Sequence, residues 1–586
     1  MTDDVYEPLA RYRDAFKAEH ARNTSECFEA LVSRSGIDAD ANAGTVAEIR
    51  TLERQAAASD ARRVRWKNVR LLTVCLVIAC AAGLVLYVLP RVSDIQPPLA
   101  VDGPWALACL AGAAGGILLT VSKLNAIIRA AEARLRELRD ALAQKTQEAW
   151  AQLAPLNRLY DWDTVARLIQ KTVPRLALDP YFSCGRLDEL RRTFGWDDAF
   201  NRDKSVLFAQ SGAINGNPFV LAETLDYRMA EKTYTGTLSI SWQERVRGSD
   251  GKSRMVTRHQ TLHASVTKPA PDYTRQKFLI YGNEAAPTLT FSRTPSRLSG
   301  LDAGVINNWR KAREIKKLEA FSRNLDDDSG YTIMANREFA ALFHATDRND
   351  EVQYRLLFTP LAQHQMVALL KDKTVGYGDD FTFIKSRMIN RIHPAHLTGL
   401  DISAAPSLFH AYDLAAARRF FNDYSNAYFK ALYFALAPLL TIPLYQQHRS
   451  HADIYRDVYG KTASFWEHEA IANFHGEPAF RHPDSCTANI LKTELARSDD
   501  GTHTVSVTAH GFRGHPRTDY IAQFGGDGRS HQVPVHWTEY EPVSRTSALA
   551  VQERDGLTLQ DYEQQAGADP RRASFRRSIL SFIPSR

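Results

Sequence analysis

Histidines crowd the last third of the chain at His448, His451, His468, His475 and His482. Imidazole and carboxylate together suit zinc or iron, so His448, His451, His468 and Glu469 are the residues that could assemble a metal centre. His448 and His451 stand at i,i+3, a spacing that one helix face can share. No H-E-x-x-H spacing accompanies them, and structural or surface histidines account for the pattern more simply. No metal is therefore assigned, and these four residues stand as candidates. The nucleophile elbow G-x-S-x-G, the Walker loop and the G-x-G-x-x-G fingerprint are all missing, so no catalytic residue is assigned and no cofactor is expected.

A second motif carries a different chemistry. Thr374-Val375-Gly376-Tyr377-Gly378-Asp379 matches the potassium-channel selectivity filter residue for residue, a loop whose carbonyls face a pore between two membrane helices. The context here is wrong: the motif lies roughly 250 residues after the apolar runs and is followed by Lys385, Arg387 and Arg391. Two glycines ahead of a strand read as a turn.

The elements that must position any site begin with residues 71–89 and 104–122, two uncharged apolar runs. Each is long enough, as a helix, to span a bilayer core of roughly 30 Å. A short connection makes them a helical hairpin, with Pro97, Pro98 and Pro104 suited to its turn. Arg62, Arg63, Arg65, Lys67 and Arg70 precede the first run; Lys123, Arg129, Arg134, Arg136 and Arg139 follow the second. The loop carries Arg91 against Asp94 and Asp102. The positive-inside bias thus puts both termini in the cytoplasm and predicts a multi-pass protein of the inner (cytoplasmic) membrane. No cleavable signal is visible. Gly112 and Gly116, with Ala79, Ala82 and Gly83 on the first run, form small-residue seams. They serve packing within the hairpin or between copies. Neither run holds an acidic or basic residue, which argues against a proton relay or ion path within one hairpin.

Composition adds bounds rather than chemistry. The chain has 586 residues, 44% apolar, with a net charge of +6, enough for two or three compact domains. Much of the basic excess sits at the membrane flanks, so nucleic acid is not an expected partner. Six cysteines without C-x-x-C spacing fit a reducing compartment and exclude a cysteine-based zinc site.

Residues 1–68 read as a cytosolic helical region, with Asn23-Thr24-Ser25-Glu26 resembling a capped start and 36–44 a loop. The hairpin occupies 69–122. A helical stalk follows at 123–155, where Leu124, Ile128, Ala131, Leu135, Leu138 and Leu142 alternate spacings of four and three; paired with the helix from about Thr45, it predicts an antiparallel coiled coil. Residues 156–400 form an α+β domain with helices at 164–173 and 187–194 and a long hairpin at 234–266, where Tyr234, Leu238, Ile240 and Trp242 alternate with polar residues. A basic amphipathic helix at 305–318 places Trp309, Ala312 and Ile315 on one side, opposite Arg310, Arg313 and Lys317. Its charged face reads as solvated, with anionic lipid as the alternative contact. Residues 401–480 are helical and aromatic-rich, and the run 431–445, interrupted by Pro438 and Pro443, reads as a buried kinked helix. Residues 481–556 are β-rich, and 557–586 form a basic, loosely ordered tail. The fold class is an α+β membrane protein: N-terminal helices, a two-helix transmembrane hairpin with coiled stalk, then a large cytosolic α+β region with antiparallel sheet.

Leu178-Asp179-Pro180, Phe194, Asp203, Gly212-Ala213-Ile214-Asn215-Gly216 and residues 219–223 resemble the first half of an uncharacterised bacterial membrane-protein family. Arg337-Glu338-Phe339, Tyr354, Thr359-Pro360 and residues 381–384 resemble its second half. The similarity runs from Tyr160 to His396. It implies two membrane spans ahead of a cytosolic domain of unknown function and brings no catalytic residues. The expected function is a membrane-anchored cytosolic binding or scaffold module of unknown ligand. A membrane-tethered metal-dependent enzyme competes with it, followed by an oligomeric transport or pore component. The expected partners are the lipid bilayer, a second copy of the chain and an unidentified cytosolic partner.

Overall fold

The computed structural model describes residues 7–92, 103–247, 253–296, 298, 305–323, 331–446, 462–499, 502–553, 573–576 and 579–584. The fold is mixed helix and antiparallel sheet, with two helices long and apolar enough to cross a membrane. It divides into two compact units. The helical unit comprises residues 26–160 and 406–423; the α+β unit comprises 1–25, 161–405 and 424–586.

The helical unit is built on α3 (Ala39–Val92) and on a second long helix made of α4 (Gly103–Leu119), a π-turn (Thr120–Leu124) and α5 (Asn125–Asn157). The two run antiparallel. Asn42 contacts Gln152, Glu48 pairs with Lys145 at 2.9 Å, and Lys67 pairs with Glu132 at 2.8 Å. Farther along, a Cβ on Gly83 would stand 3.0 Å from Cys109 Sγ, and one on Gly112 would stand 3.1 Å from Cys80 Sγ. At Gly116 the added carbon would meet Val77 at 2.5 Å. The small-residue seam is therefore occupied within the chain, glycine against cysteine on alternating helices. The seam's other side is open: Leu72, Leu76, Leu107 and Leu118 are exposed, Leu72 by 70%. The turn with Pro97 and Pro98 lies outside the described residues.

Two local expectations are corrected. The loop at 36–44 shrinks to a short break, with Gly36 at φ +63°. Asp38 then caps α3 by accepting the N–H groups of Asp40 and Ala41, so Gly44 is helical. Asn23 and Thr24 do not begin a helix but lie inside α2 (Lys17–Ser35). Thr24 Oγ1 donates to the His20 carbonyl one turn back, and Asn23 Nδ2 donates to Thr172 Oγ1. Their polar groups find partners without a helix end.

The α+β unit holds two sheets. The first orders its strands β1 (Leu176–Leu178), β2 (Lys204–Ile214), β3 (Asn217–Arg247), β4 (Ser253–Gly282), β7 (Ile389–Pro394), β6 (Phe381–Ser386) and β5 (Thr290–Arg293). The second runs β11 (Ala573–Arg576), β12 (Ile579–Phe582), β10 (Ser530–Glu553), β9 (Thr502–Phe524) and β8 (Ile490–Asp499). All their pairings are antiparallel. The hairpin expected at 234–266 has that register, Tyr234 facing Val266 and Leu238 facing Leu262. It is longer than the alternation indicated, and Pro269 and Pro271 sit within it, where among the described residues β4 pairs with β3 and β7 pairs only farther along, from Leu279 to Gly282. Its inner residues, with Leu262 and Ala264 buried, pack on Val533 and Val535 of the β9–β10 hairpin. A Cβ on Gly236 would stand 2.0 Å from the Pro534 carbonyl oxygen, so glycine is what lets the two hairpins meet.

The basic tail is corrected as well. β12 pairs with β10 from Ile579 to Phe582, and Ile579, Leu580 and Ser581 are buried. Ile579 and Leu580, buried in a strand, outweigh the arginines around them. The helix expected at 305–318 extends to α8 (Val305–Arg323), but its buried residue is Leu318; Trp309 is exposed, with Arg313 over its ring. The run 431–445 is almost entirely buried, most of it in α12 (Leu414–Leu440) with Pro438 inside. Tyr433 and Phe434 there pack on Tyr12.

Candidate functional site

The helix α13 (Phe465–His475) carries His468 and Glu469. Ser464 caps it, its hydroxyl accepting the Glu467 N–H. Trp466 and Ala470 join the apolar core against β2 to β4, while Ile471 and Ala472 join the core of the second sheet. A helix packed on both sides should be apolar all round, yet Glu467, His468 and Glu469 are buried in it. Glu467 accepts the Phe182 N–H at 3.1 Å. Glu469 pairs with Lys492 Nζ at 2.7 Å and accepts the Val206 N–H at 3.0 Å and Asn201 Nδ2 at 3.3 Å. Val206 stands where the β2–β3 register shifts, so the carboxylate serves an irregular stretch of backbone. Burial pushes Glu469 up to about 7, with Lys492 and the two donors holding it back. His468 Nε2 lies 3.7 Å from Glu553, and Glu553 accepts the Ala463 N–H.

His468 and Glu469 are thus adjacent in sequence but engaged by different strands. His448 and His451 lie outside the described residues. Among the described residues, no group of three or more His, Cys, Asp or Glu side chains is arranged to hold a metal ion. The filter-like motif is a turn held by side chains. Asp372 accepts the N–H groups of Val375 and Gly376, Gly378 sits at φ +70°, and Tyr377 stacks on His396 at 4.0 Å. Asp379 pairs at 2.6 Å with the buried Arg293.

A cavity of about 350 Å³ opens on the far side of Lys492, where β3 and β4 face β8, β9 and β10. Motif reasoning gave no signal for it, because its walls come from segments scattered between residues 202 and 544. Tyr227 and Tyr273 are direct partners across β3 and β4, with rings 5.6 Å apart, and Phe512 lies 5.4 Å from Tyr227. These rings give the cavity an aromatic wall. Tyr273 donates its hydroxyl to Thr487 Oγ1, and burial raises both tyrosines above their usual range.

Charge enters at the rim. Arg202 and Asp203 leave the short 3₁₀ turn Asp198–Asn201 side by side, and neither forms an ion pair among the described residues. Lys492 is fixed from behind by the carbonyls of Asn201 and Lys204, at 2.7 and 2.8 Å, as well as by Glu469. His510 is lowered by burial and by the nearby Lys492, which favours its neutral ring. The arrangement sets an apolar aromatic surface beside Arg202 and Asp203, neither of which is ion-paired among the described residues.

No protein-family model matches the chain, and no curated protein or solved structure matches it either.

Proposed function

We propose that this chain is a membrane-anchored binding module. The hairpin holds it in the inner (cytoplasmic) membrane with both termini in the cytoplasm. The α+β unit takes a small ligand bearing an aromatic ring into the cavity between its sheets. The observation that carries the anchoring half is the belt of exposed apolar side chains on both long helices. Leu71, Leu72, Leu76 and Ile78 on one and Trp105, Leu107, Leu110 and Leu118 on the other would be costly in water and are at home in lipid. The cavity, with its three rings and with Arg202 and Asp203 at its rim, supports the binding half.

Saturation-transfer NMR on the full chain in detergent, with 2-naphthoate as probe, tests the binding half. Transfer to the naphthyl protons is expected from the parent. Val543→Trp, which places a bulky ring in the cavity, is expected to weaken it about tenfold with the unfolding midpoint unchanged. Equal transfer from both proteins, or none from the parent, would remove the cavity from the account.

A further inference from the structure

The basic residues ahead of the first apolar belt are not equivalent. Arg63 pairs with Asp60 and Lys67 with Glu132, each at 2.8 Å, and Arg70 reaches Asn125 Oδ1. Arg62 and Arg65 form no ion pair among the described residues. Both lie on another side of α3, on one stripe with Ala58, Ala61, Trp66 and Val69, and this stripe lines an open cavity of about 560 Å³. Spacings of three and four keep these six residues on one helix face, and the two alanines leave space beside the guanidinium groups. The same stripe runs on into the apolar belt through Leu72 and Leu76, both more than half exposed.

We infer that this stripe is a binding site for an anionic phospholipid. Its head-group phosphate sits between Arg62 and Arg65, and an acyl chain lies along Val69, Leu72 and Leu76. The inference rests on the membrane-anchored reading and names one partner of the hairpin. Guanidinium matches a phosphate's oxygens in geometry as well as charge, and Trp66 supplies the amphipathic ring favoured at head-group depth. An apolar track leading away from the two cations is what distinguishes a lipid from free phosphate. Arginines already neutralised by a carboxylate, such as Arg63, would add little.

The test is lipid retention by the full chain in mild detergent, read by native mass spectrometry with phosphatidylglycerol and phosphatidylcholine of identical acyl chains. The parent is expected to prefer phosphatidylglycerol, and Arg62→Gln with Arg65→Gln to lose about tenfold of that preference. The control pair Arg129→Gln with Arg136→Gln removes equal charge from the other long helix and is expected to keep it. Excess inorganic phosphate should not displace the lipid. Equal loss in both double variants would reduce the effect to general charge attraction and overturn the site, as would displacement by phosphate. Flotation with phosphatidylcholine vesicles separates the two levels. A parent that floats without lipid preference refutes the site and leaves the anchor standing; a parent that never floats refutes both.

Discussion

Replacing Arg186 by leucine is expected to destabilise the α+β unit by about 3–5 kcal/mol, the cost of breaking a buried ion pair from one side. Arg186 is fully buried in the first turn of α7 (Cys184–Arg192). Its Nε and Nη2 donate to the two oxygens of Asp179 at 2.9 and 3.0 Å, and its Nη1 donates to Glu189 at 2.7 Å. Burial opposes the charge, but the two carboxylates outweigh it and raise the guanidinium's pKa. Without Arg186, Asp179 keeps the Ser211 hydroxyl and loses the cation that offsets its own burial. Urea unfolding followed by the fluorescence of Trp196 and Trp466, which share the neighbouring core, reads the change. Removing both charges with Arg186→Leu and Asp179→Leu should recover much of the loss, because a paired apolar replacement leaves no orphaned ion. A single variant as stable as the parent would show that the pair holds nothing together.

The second large effect is a pH dependence set by Glu469. Its carboxyl is pushed up to about 7 in the folded protein, against an ordinary value of 4.5. Between those values the folded state holds a proton that the unfolded state has released, so stability falls as pH rises from 4.5 to about 7. The penalty is absent below the lower value and complete above the higher one, on the order of 3 kcal/mol. Glu469→Gln keeps an acceptor for the Val206 N–H and cannot titrate. The difference in unfolding free energy between parent and variant should therefore change steadily across that window and level off on either side. Parallel profiles for the two proteins would mean that Lys492 holds the carboxylate ionised throughout.

Patterns that repeat over many residues carried most of the architecture. The two apolar runs and the register of the 234–266 hairpin depend on local periodicity, and both elements form where that periodicity places them. Thr359-Pro360 likewise starts α11 (Pro360–Lys371), the threonine accepting the Ala362 N–H. Elsewhere a distant partner outweighs the local signal. Asn23 resembles a cap but finds Thr172, far along the chain. Ile579 and Leu580 look like part of a basic tail but belong to a strand paired between β10 and β11. The polar run Glu467-His468-Glu469 resembles a ligand set in sequence, and only the positions of Val206, Lys492 and Glu553 separate its members. The cavity is the extreme case, since Arg202, Tyr227, Phe512 and Val543 share no spacing that a linear motif could express.

Membrane anchoring through the hairpin is tested most directly by cysteine accessibility in intact cells. Single cysteines are placed at Thr2, Ser93 and Ser585 in a chain whose six native cysteines have been replaced. A membrane-impermeant maleimide should label Ser93→Cys at once and reach the two terminal probes only after the membrane is permeabilised. Labelling of either terminal probe in intact cells, or a Ser93→Cys probe reached only after permeabilisation, would contradict the hairpin topology on which the account depends.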